Sequence, residues 1–167
     1  PVEYGKLAKQ TLASSLFISN LVYYKESGYF AEDSLENWLL HTWSLSVEWQ
    51  FYLIYPIAMI VVSKLFARRL IPFILIVATL SSLALSIWLS PKNPELSYFA
   101  LPTRAWEMLA GGLLFFWGFK AQSRTTKILE YIGVSLIVAS CIVFSEDIAW
   151  PGYAAILPVL GACLRVH

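Results

Sequence analysis

Residues 70–89 contain no charged side chain, and this apolar run constrains the fold more than any other stretch of the chain. At about 1.5 Å per residue, a helix of this length crosses a hydrocarbon layer about 30 Å thick. The whole composition agrees, because 58% of the 167 residues are hydrophobic and 14% are charged, whereas about 25% are charged in typical soluble domains. The sequence therefore predicts an all-α fold, a polytopic transmembrane helix bundle in a lipid bilayer.

Further apolar segments bring the predicted total to about six membrane segments. They cover residues 7–24, 45–63, 104–119, 128–145 and 152–164. The chain starts without a methionine or a signal-peptide pattern. We therefore expect residues 1–167 to be an internal part of a single integral-membrane domain that lacks its N-terminal helices. Small residues at Gly111-Gly112 and at Gly161-Ala162 predict close contacts between helices.

The basic residues divide unevenly between the two sides of this bundle. If the chain alternates across the membrane from an inner start, the inner side holds Lys6, Lys9, Lys64, Arg68, Arg69, Lys120, Arg124, Lys127 and Arg165. The outer side holds Lys25, Lys92 and, at its rim, Arg104. The positive-inside rule assigns the side rich in lysine and arginine to the cytoplasm. The prediction therefore places the starts of segments 45–63 and 104–119 on the outer side.

The outer edge of segment 45–63 carries several groups suited to proton transfer. His41, Ser44 and Glu48 lie at spacings of i, i+3 and i+7, so they share one helix face. Histidine is a common general base, and a neighbouring carboxylate orients it or polarises an acceptor hydroxyl. Arg104 and Glu107 form a second i, i+3 pair on another helix. Ionisable groups at a membrane edge are costly and predict a functional site.

Structural roles for the same side chains stay open at this point. Glu48 pairs with Arg104 between helices in one alternative, because buried charges need partners. His41 is an ordinary interfacial histidine in another. Ser44 is more often a cap or a helix–helix hydrogen-bonding group than a nucleophile.

Other residues point away from metal and nucleic-acid chemistry. Cys141 and Cys163 lie in apolar runs, which is typical of small buried hydrophobic side chains. With two histidines the chain has no predicted metal-ligand cluster. No basic patch with interleaved aromatic residues indicates a nucleic-acid partner. Trp43 and Trp106 suit anchors at a membrane interface better than ligand platforms.

Three motifs carry a resemblance to a known family. Residues 41–52, HTWSLSVEWQFY, closely resemble a signature of the bacterial membrane acyltransferase-3 family, which includes O-acetyltransferases of lipopolysaccharide and other surface glycans. Residues 98–111 resemble its arginine-aromatic-glutamate helix, and residues 150–161 its tryptophan-proline-glycine loop; Ser19-Asn20-Leu21 also fits. Two features depart from the family. Trp49 stands where a second glutamate is common, and no arginine–histidine pair precedes His41.

The resemblance implies a multi-pass enzyme of the bacterial inner membrane that moves an acyl group, most often acetyl, to a sugar hydroxyl. Acyl-CoA, as acetyl-CoA, is the implied co-substrate and no bound cofactor is implied. The implied partners are the lipid bilayer, acyl-CoA and a carbohydrate acceptor. His41 and Glu48 are the predicted catalytic residues, on the periplasmic side. The predicted substrate-binding residues are Trp43, Ser44, Gln50, Tyr52, Arg104, Trp106 and Glu107.

Two competing functions remain open from the sequence. A multi-pass transporter or flippase for a glycan or small solute would suit Pro56 and Pro158, which can break helices along a pathway. Its charges would lie near the bilayer midplane, whereas these lie at a rim. The other is a catalytically inactive structural subunit, in which the ionisable cluster is dispensable for activity.

Overall fold

The computed structural model describes residues 2–27, 39–117, 123–143 and 152–165. Within them the regular elements are helices, so the all-α prediction is confirmed. The helices are α1 Val2–Ser15, α2 Ser19–Ser27, α3 Thr42–Leu65, α4 Ile71–Leu89, α5 Pro94–Phe99, α6 Leu101–Trp117, α7 Ser123–Val143 and α8 Ile156–Arg165. A 3-10 turn, Arg68–Leu70, leads into α4. Lys120, Trp150 and Pro151, named in the sequence predictions, lie outside the described residues.

The prediction of about six membrane segments is wrong for the helices that the structure describes. Two stretches, Thr42–Leu65 and Arg68–Leu89, are long and apolar enough to cross a membrane, with mean hydropathies of 1.5 and 2.4. A span needs about 20 apolar residues, whereas α6 has 17 and α8 has 10. Helix α7 has 21 residues, but Arg124, Lys127 and Glu130 interrupt its first half.

The first predicted segment is two helices, because the chain turns sharply at Phe17. Phe17 has a φ of 55°, in the left-handed region that glycine usually occupies after a helix. The Ile18 N–H donates to the Ala13 carbonyl and the Phe17 N–H to the Ser14 carbonyl, which forms a Schellman-type end for α1. No glycine or proline marks this turn in the sequence, so the pattern could not predict it.

Small polar side chains fill the contacts between helices. Those that are completely buried are Asn20, Thr103, Ser19, Ser46, Ser86, Ser90 and Ser97. The Ser90 hydroxyl bonds to that of Ser97 at 2.8 Å and accepts the Gly152 N–H at 3.1 Å, which fixes the start of the last described segment against α4 and α5. Ser82 donates to the Pro102 carbonyl and accepts the Trp106 N–H, which joins α4 to α6.

Helices α7 and α8 pack through two glycines. A Cβ on Gly133 would lie 2.5 Å from the Gly161 carbonyl oxygen, and a Cβ on Gly161 would lie 2.6 Å from that of Gly133. Close contact at Gly161 is therefore confirmed, whereas its partner Gly133 was not predicted from the sequence. At Gly112 a Cβ would lie 3.3 Å from the Tyr55 hydroxyl, so close contact is confirmed there as well. A Cβ on Gly111 would have nothing within 4 Å, so the predicted close contact at Gly111 is wrong.

Two smaller predictions also differ from the structure. Cys141 is exposed rather than buried, and Cys163 is half-buried. Pro56 and Pro158 lie inside α3 and α8, each of which continues as one helix through its proline.

Candidate functional site

His41 begins the helix that carries the predicted catalytic residues. It occupies the position before α3 with helical backbone angles, φ −60° and ψ −16°, so the helical spacing of His41, Ser44 and Glu48 holds. The Ser44 hydroxyl donates to the His41 carbonyl at 3.2 Å, as a local helix contact. His41 and Glu48 are exposed, and so is Tyr52 one turn further on. These side chains form one accessible stripe along α3.

The opposite face of α3 is buried. Trp43, Val47 and Phe51 pack towards the other helices, with exposures of 3–9%. At 3.6 residues per turn, His41 and Glu48 lie roughly 150° around the helix from Trp43. The structure therefore does not bring the His41–Glu48 stripe into contact with Arg104 and Glu107, although both groups lie where their helices begin.

Arg104 lies against an aromatic cluster formed by α3 and α5. Its guanidinium carbon is 5.0 Å from the ring centroid of Trp43 and 5.8 Å from that of Tyr98. These distances are within the range of cation–π attraction. The Trp43 ring is 4.5 Å from Tyr98 and meets Phe99 edge-on at 5.2 Å. Trp43 thus contributes a buried support for Arg104 rather than an exposed interface anchor.

The ionic partner of Arg104 is Glu107. The Arg104 Nη2 and Glu107 Oε2 atoms are 3.2 Å apart, with about a fifth of each side chain exposed. The alternative in which Arg104 pairs with Glu48 is therefore wrong. The other carboxylate oxygen of Glu107, Oε1, is buried and has no hydrogen-bond partner among the described residues. A carboxylate oxygen that has no hydrogen-bond partner and lies beside a guanidinium can accept a hydrogen bond from a hydroxyl group.

Trp106 is a core side chain. It is 4% exposed, and its indole N–H has no hydrogen-bond partner among the described residues. Its backbone N–H donates to Ser82, so the residue also anchors α6 on α4. Burial excludes an interface-anchor position for Trp106.

The side-chain amide of Gln50 donates its hydrogen bonds to groups within the protein. Its Nε2 donates to the Phe17 carbonyl at 2.9 Å and to Asn20 Oδ1 at 2.8 Å. Asn20 Nδ2 donates in turn to the Phe99 carbonyl at 3.1 Å. Sequence reasoning assigned Gln50 to substrate binding and gave Asn20 no role. The signal for Asn20 was present, because it is an amide within an apolar segment.

A chain of hydroxyls runs beside this amide pair. Thr42 bonds to Ser14 at 2.7 Å and donates to Ser19 at 3.2 Å, and Ser19 bonds to Ser46 at 2.7 Å. These bonds join α1, α2 and α3 and satisfy the buried hydroxyls. In the part of the chain that the structure describes, no group of three His, Cys, Asp or Glu side chains is arranged to hold a metal ion.

Comparisons with known proteins identify the family of the chain. A family model described as an acyltransferase domain, that of acyltransferase-3, matches residues 10–166. An uncharacterised Haemophilus influenzae protein is 29% identical over 99% of this chain and 72% of its own length. The peptidoglycan O-acetyltransferase OatA of Listeria monocytogenes is 29% identical over 86% of this chain. A Staphylococcus aureus protein provisionally named an O-acetyltransferase is 32% identical over 72% of it.

The extent of these matches differs between relatives. The chain spans about a quarter of the length of the Listeria protein and about a fifth of the Staphylococcus protein. No solved structure matches the chain. The family model nevertheless covers nearly every residue, including the three motifs that carry the resemblance. The chain therefore belongs to the acyltransferase-3 family of acyltransferase domains.

Proposed function

We propose that this protein is part of a multi-pass enzyme of the bacterial inner membrane that transfers an acetyl group from acetyl-CoA to a hydroxyl of a cell-surface carbohydrate. Family membership and O-acetyltransferase relatives support acyl transfer. The name of the Listeria relative gives peptidoglycan as its substrate, which supports a carbohydrate acceptor here. The observation that carries the proposal is the Arg104–Glu107 pair, held against Trp43, with one carboxylate oxygen unbonded.

The distribution of polarity supports a location in the membrane. Large apolar side chains face outwards, including Ile57 at 63% exposure and Phe73 at 64%, whereas the largest of the completely buried side chains are polar and of modest size. A soluble protein rarely exposes so much contiguous apolar surface. Membrane helices, in contrast, often associate through small polar residues. Lys64, Arg68 and Arg69 lie where the two membrane-length helices meet, so the positive-inside rule supports a cytoplasmic position for that junction and a periplasmic position for the start of α3, where surface glycans are assembled.

The Arg104–Glu107 pair is proposed to bind the acceptor sugar. The carboxylate of Glu107, about a fifth of whose side chain is exposed, accepts a hydrogen bond from one sugar hydroxyl, and the guanidinium of Arg104 donates to a neighbouring oxygen. Trp43 and Tyr98 hold the guanidinium in place from behind. Trp106 contributes to this site through the position of α6 on α4.

His41 and Glu48 are proposed to perform the proton transfer. His41 removes the proton from the acceptor hydroxyl as its oxygen attacks the carbonyl carbon of the thioester, whose arm reaches through the helix bundle from the cytoplasmic side. A new C–O bond forms, the C–S bond breaks, and the leaving coenzyme A thiolate takes up the proton that His41 received, which returns the imidazole to its neutral form. Glu48 orients the imidazole or polarises the hydroxyl. Ser44 and Tyr52 lie on the same stripe and are proposed to contact the acceptor.

The two groups are proposed to act on one carbohydrate that crosses the end of α3. His41 precedes the first turn of this helix and Trp43 lies within it. A sugar chain laid over the helix end therefore contacts both the accessible stripe and Arg104. This arrangement explains how the stripe on α3 and the Arg104–Glu107 pair of α6, which lie on different sides of α3, contribute to one reaction.

The experiment uses inside-out membrane vesicles that contain the full-length parent protein and its endogenous glycan. Labelled acetyl-CoA is added, and incorporation of label into alkali-labile esters is measured at matched protein levels. We expect His41→Ala to lower the initial rate by about 10²–10⁴-fold, the usual contribution of a general base. Glu48→Gln and Glu107→Gln should also lower it. Glu130→Gln, which neutralises an exposed carboxylate on α7, is the matched control and should keep the parent rate.

Normal labelling in both His41→Ala and Glu48→Gln would remove these residues from the catalytic site. Absence of acetyl-CoA-dependent labelling by the parent would argue against acyl transfer itself. A transporter or flippase predicts that second result. The helix break at Phe17 favours such a function, since broken helices form many transporter sites. The Phe17 carbonyl at this break already accepts a hydrogen bond from Gln50, however, so it is not open to a transported solute.

A further inference from the structure

We infer that Asn20 and Gln50 are positioning residues whose paired amides fix the elbow between α5 and α6 and thereby hold Arg104 against Trp43. The inference rests on the proposed function of Arg104. It replaces a substrate-binding role for Gln50 with a role that acts through another side chain. It also assigns a role to Asn20, which the catalytic proposal does not use.

The contact between Asn20 and α5 is the first step. Asn20 is completely buried, and its Nδ2 donates to the Phe99 carbonyl at 3.1 Å. Phe99 is the last residue of α5, where carbonyl groups have no partner within the helix. A side-chain amide from α2 therefore supplies the hydrogen bond that this helix end lacks, across 79 residues of sequence.

The elbow itself leads directly to Arg104. Ala100 has an extended conformation between α5 and α6, with φ −83° and ψ 137°. Thr103, which is 1% exposed, donates to the carbonyls of Ser97 and Ala100 at 2.8 Å. Arg104 is the next residue. A shift of the Phe99 carbonyl thus moves the first turn of α6 and the guanidinium that it carries.

Gln50 connects this elbow to the helix that carries Trp43. It lies seven residues after Trp43, two turns further along the buried side of α3. Its Nε2 donates to Asn20 Oδ1 and to the carbonyl of Phe17, the residue at the break between α1 and α2. The Phe17 ring also stacks on Trp49 of α3, with centroids 4.6 Å apart. Helix α3 therefore carries Trp43 and, through Gln50 and Asn20, also fixes the position of the elbow relative to Trp43.

The pattern of bonds predicts different effects for different substitutions. Asn20→Asp keeps an acceptor for Gln50 but removes the donor to Phe99, so it acts directly on the elbow. Gln50→Glu keeps the Asn20–Phe99 bond but removes the donors to Asn20 and Phe17, so its effect on the elbow is indirect and smaller. Ser19→Ala is the matched control. Ser19 is also completely buried and bonded to α3, through Ser46 and Thr42, and among the described residues its hydroxyl makes no hydrogen bond to α5.

The test has two measurements on the full-length parent protein. The first is amide hydrogen exchange of residues 97–106 in purified protein. The second is the vesicle labelling rate as a function of acetyl-CoA concentration, for each variant with and without Arg104→Lys. We expect Asn20→Asp to speed exchange in residues 97–106 and to lower kcat roughly 10- to 100-fold, the scale of a small misplacement of a reacting group. The KM for acetyl-CoA should stay unchanged.

The coupling between the effects of Asn20→Asp and Arg104→Lys on kcat distinguishes a positioning role from a purely structural one, because a purely structural role predicts independent effects. If Asn20 acts through Arg104, the effects of Asn20→Asp and Arg104→Lys on kcat should be clearly less than multiplicative. Ser19→Ala should lower thermal stability, leave exchange in residues 97–106 unchanged and combine multiplicatively with Arg104→Lys. Asn20→Leu provides a second variant, in which the hydrogen bonds of Asn20 to Gln50 and to Phe99 are lost without an added charge.

Unchanged exchange at residues 97–106 in both Asn20 variants would overturn the inference. Faster exchange with the parent kcat would also overturn it, because the elbow would then not control transfer. A parent that shows no labelling would instead contradict the proposed function, while the exchange measurement would still decide whether the amide pair fixes the elbow.

Discussion

The seam around α3 and the α7–α8 pair are both tightly packed, but different chemistry holds them. In the seam, buried amides and hydroxyls and the aromatic cluster that supports Arg104 join α2, α3, α5 and α6. In the α7–α8 pair, two glycines bring the helix backbones into direct contact. Directional hydrogen bonds specify how helices are rotated and offset, whereas a glycine contact mainly sets how closely they approach. The seam is the region that presents the proposed site, where orientation matters most.

The largest expected effect on the free energy of unfolding is in the seam, at Trp43. Trp43→Ala should lower the free energy of unfolding by about 3–5 kcal/mol, because it empties the contact with Tyr98 and Phe99. Trp43→Phe should lower it less, since an aromatic ring still fills most of the space and faces Arg104. Denaturant unfolding of purified full-length protein measures both. Equal stability of the parent and Trp43→Ala would show that the aromatic cluster does not hold the seam.

A smaller effect is expected in the α7–α8 pair. Gly133→Ala places a Cβ about 2.5 Å from the Gly161 carbonyl oxygen, so the helices must separate. We expect a loss of about 1–3 kcal/mol, as for other overpacked contacts. Gly111→Ala is the matched control, because nothing lies within 4 Å of the new Cβ, and it should gain about 0.5–1 kcal/mol as a helix substitution.

Thermal unfolding of the two glycine variants measures this difference. Since the glycine contact lies outside the seam, the labelling rate per folded molecule should stay at the parent value in Gly133→Ala. Gly133→Ala with unchanged thermal stability would contradict direct backbone contact between α7 and α8. A large fall in its specific rate would show that the two regions are coupled.

The smallest effect is expected at the edge of the seam. Lys9 Nζ lies 2.9 Å from Glu26 Oε1, with 58% of the lysine side chain exposed. Gln10 also donates to this carboxylate, at 3.2 Å, so Glu26 keeps a partner when Lys9 is replaced. Lys9→Met should therefore cost roughly 0–1 kcal/mol. Unfolding at low and high salt checks this: the difference should shrink with salt, and a salt-independent loss above about 2 kcal/mol would contradict a surface pair.

Several features of the site were accessible from the sequence because they depend on residues close together in the chain. The i, i+3 spacing of Arg104 and Glu107 predicted neighbouring side chains, and the structure joins them as an ion pair. The spacing of His41, Ser44 and Glu48 likewise predicted one face of α3. The catalytic and substrate-binding roles of these residues stay predictions.

Other features depend on which helix meets which, and periodicity carries no such information. The sequence offered Glu48 as a partner for Arg104, but Glu48 lies on the exposed face of α3. Gln50 was expected to face a substrate, but the turn at Phe17 brings a free carbonyl to its amide. Gly133 was missed because a single glycine in an apolar run gives no sign that another glycine faces it.

By itself, the sequence determined that this chain is helical, that it belongs to the acyltransferase-3 family and which local groups share a helix face. Those properties follow from composition, from motifs and from the fixed period of the helix. The tertiary structure alone decided the break at Phe17, the amide pair of Asn20 and Gln50 and the glycine contact between α7 and α8. Each of these depends on a backbone group that becomes a partner only after distant helices pack, and a linear pattern does not record that geometry.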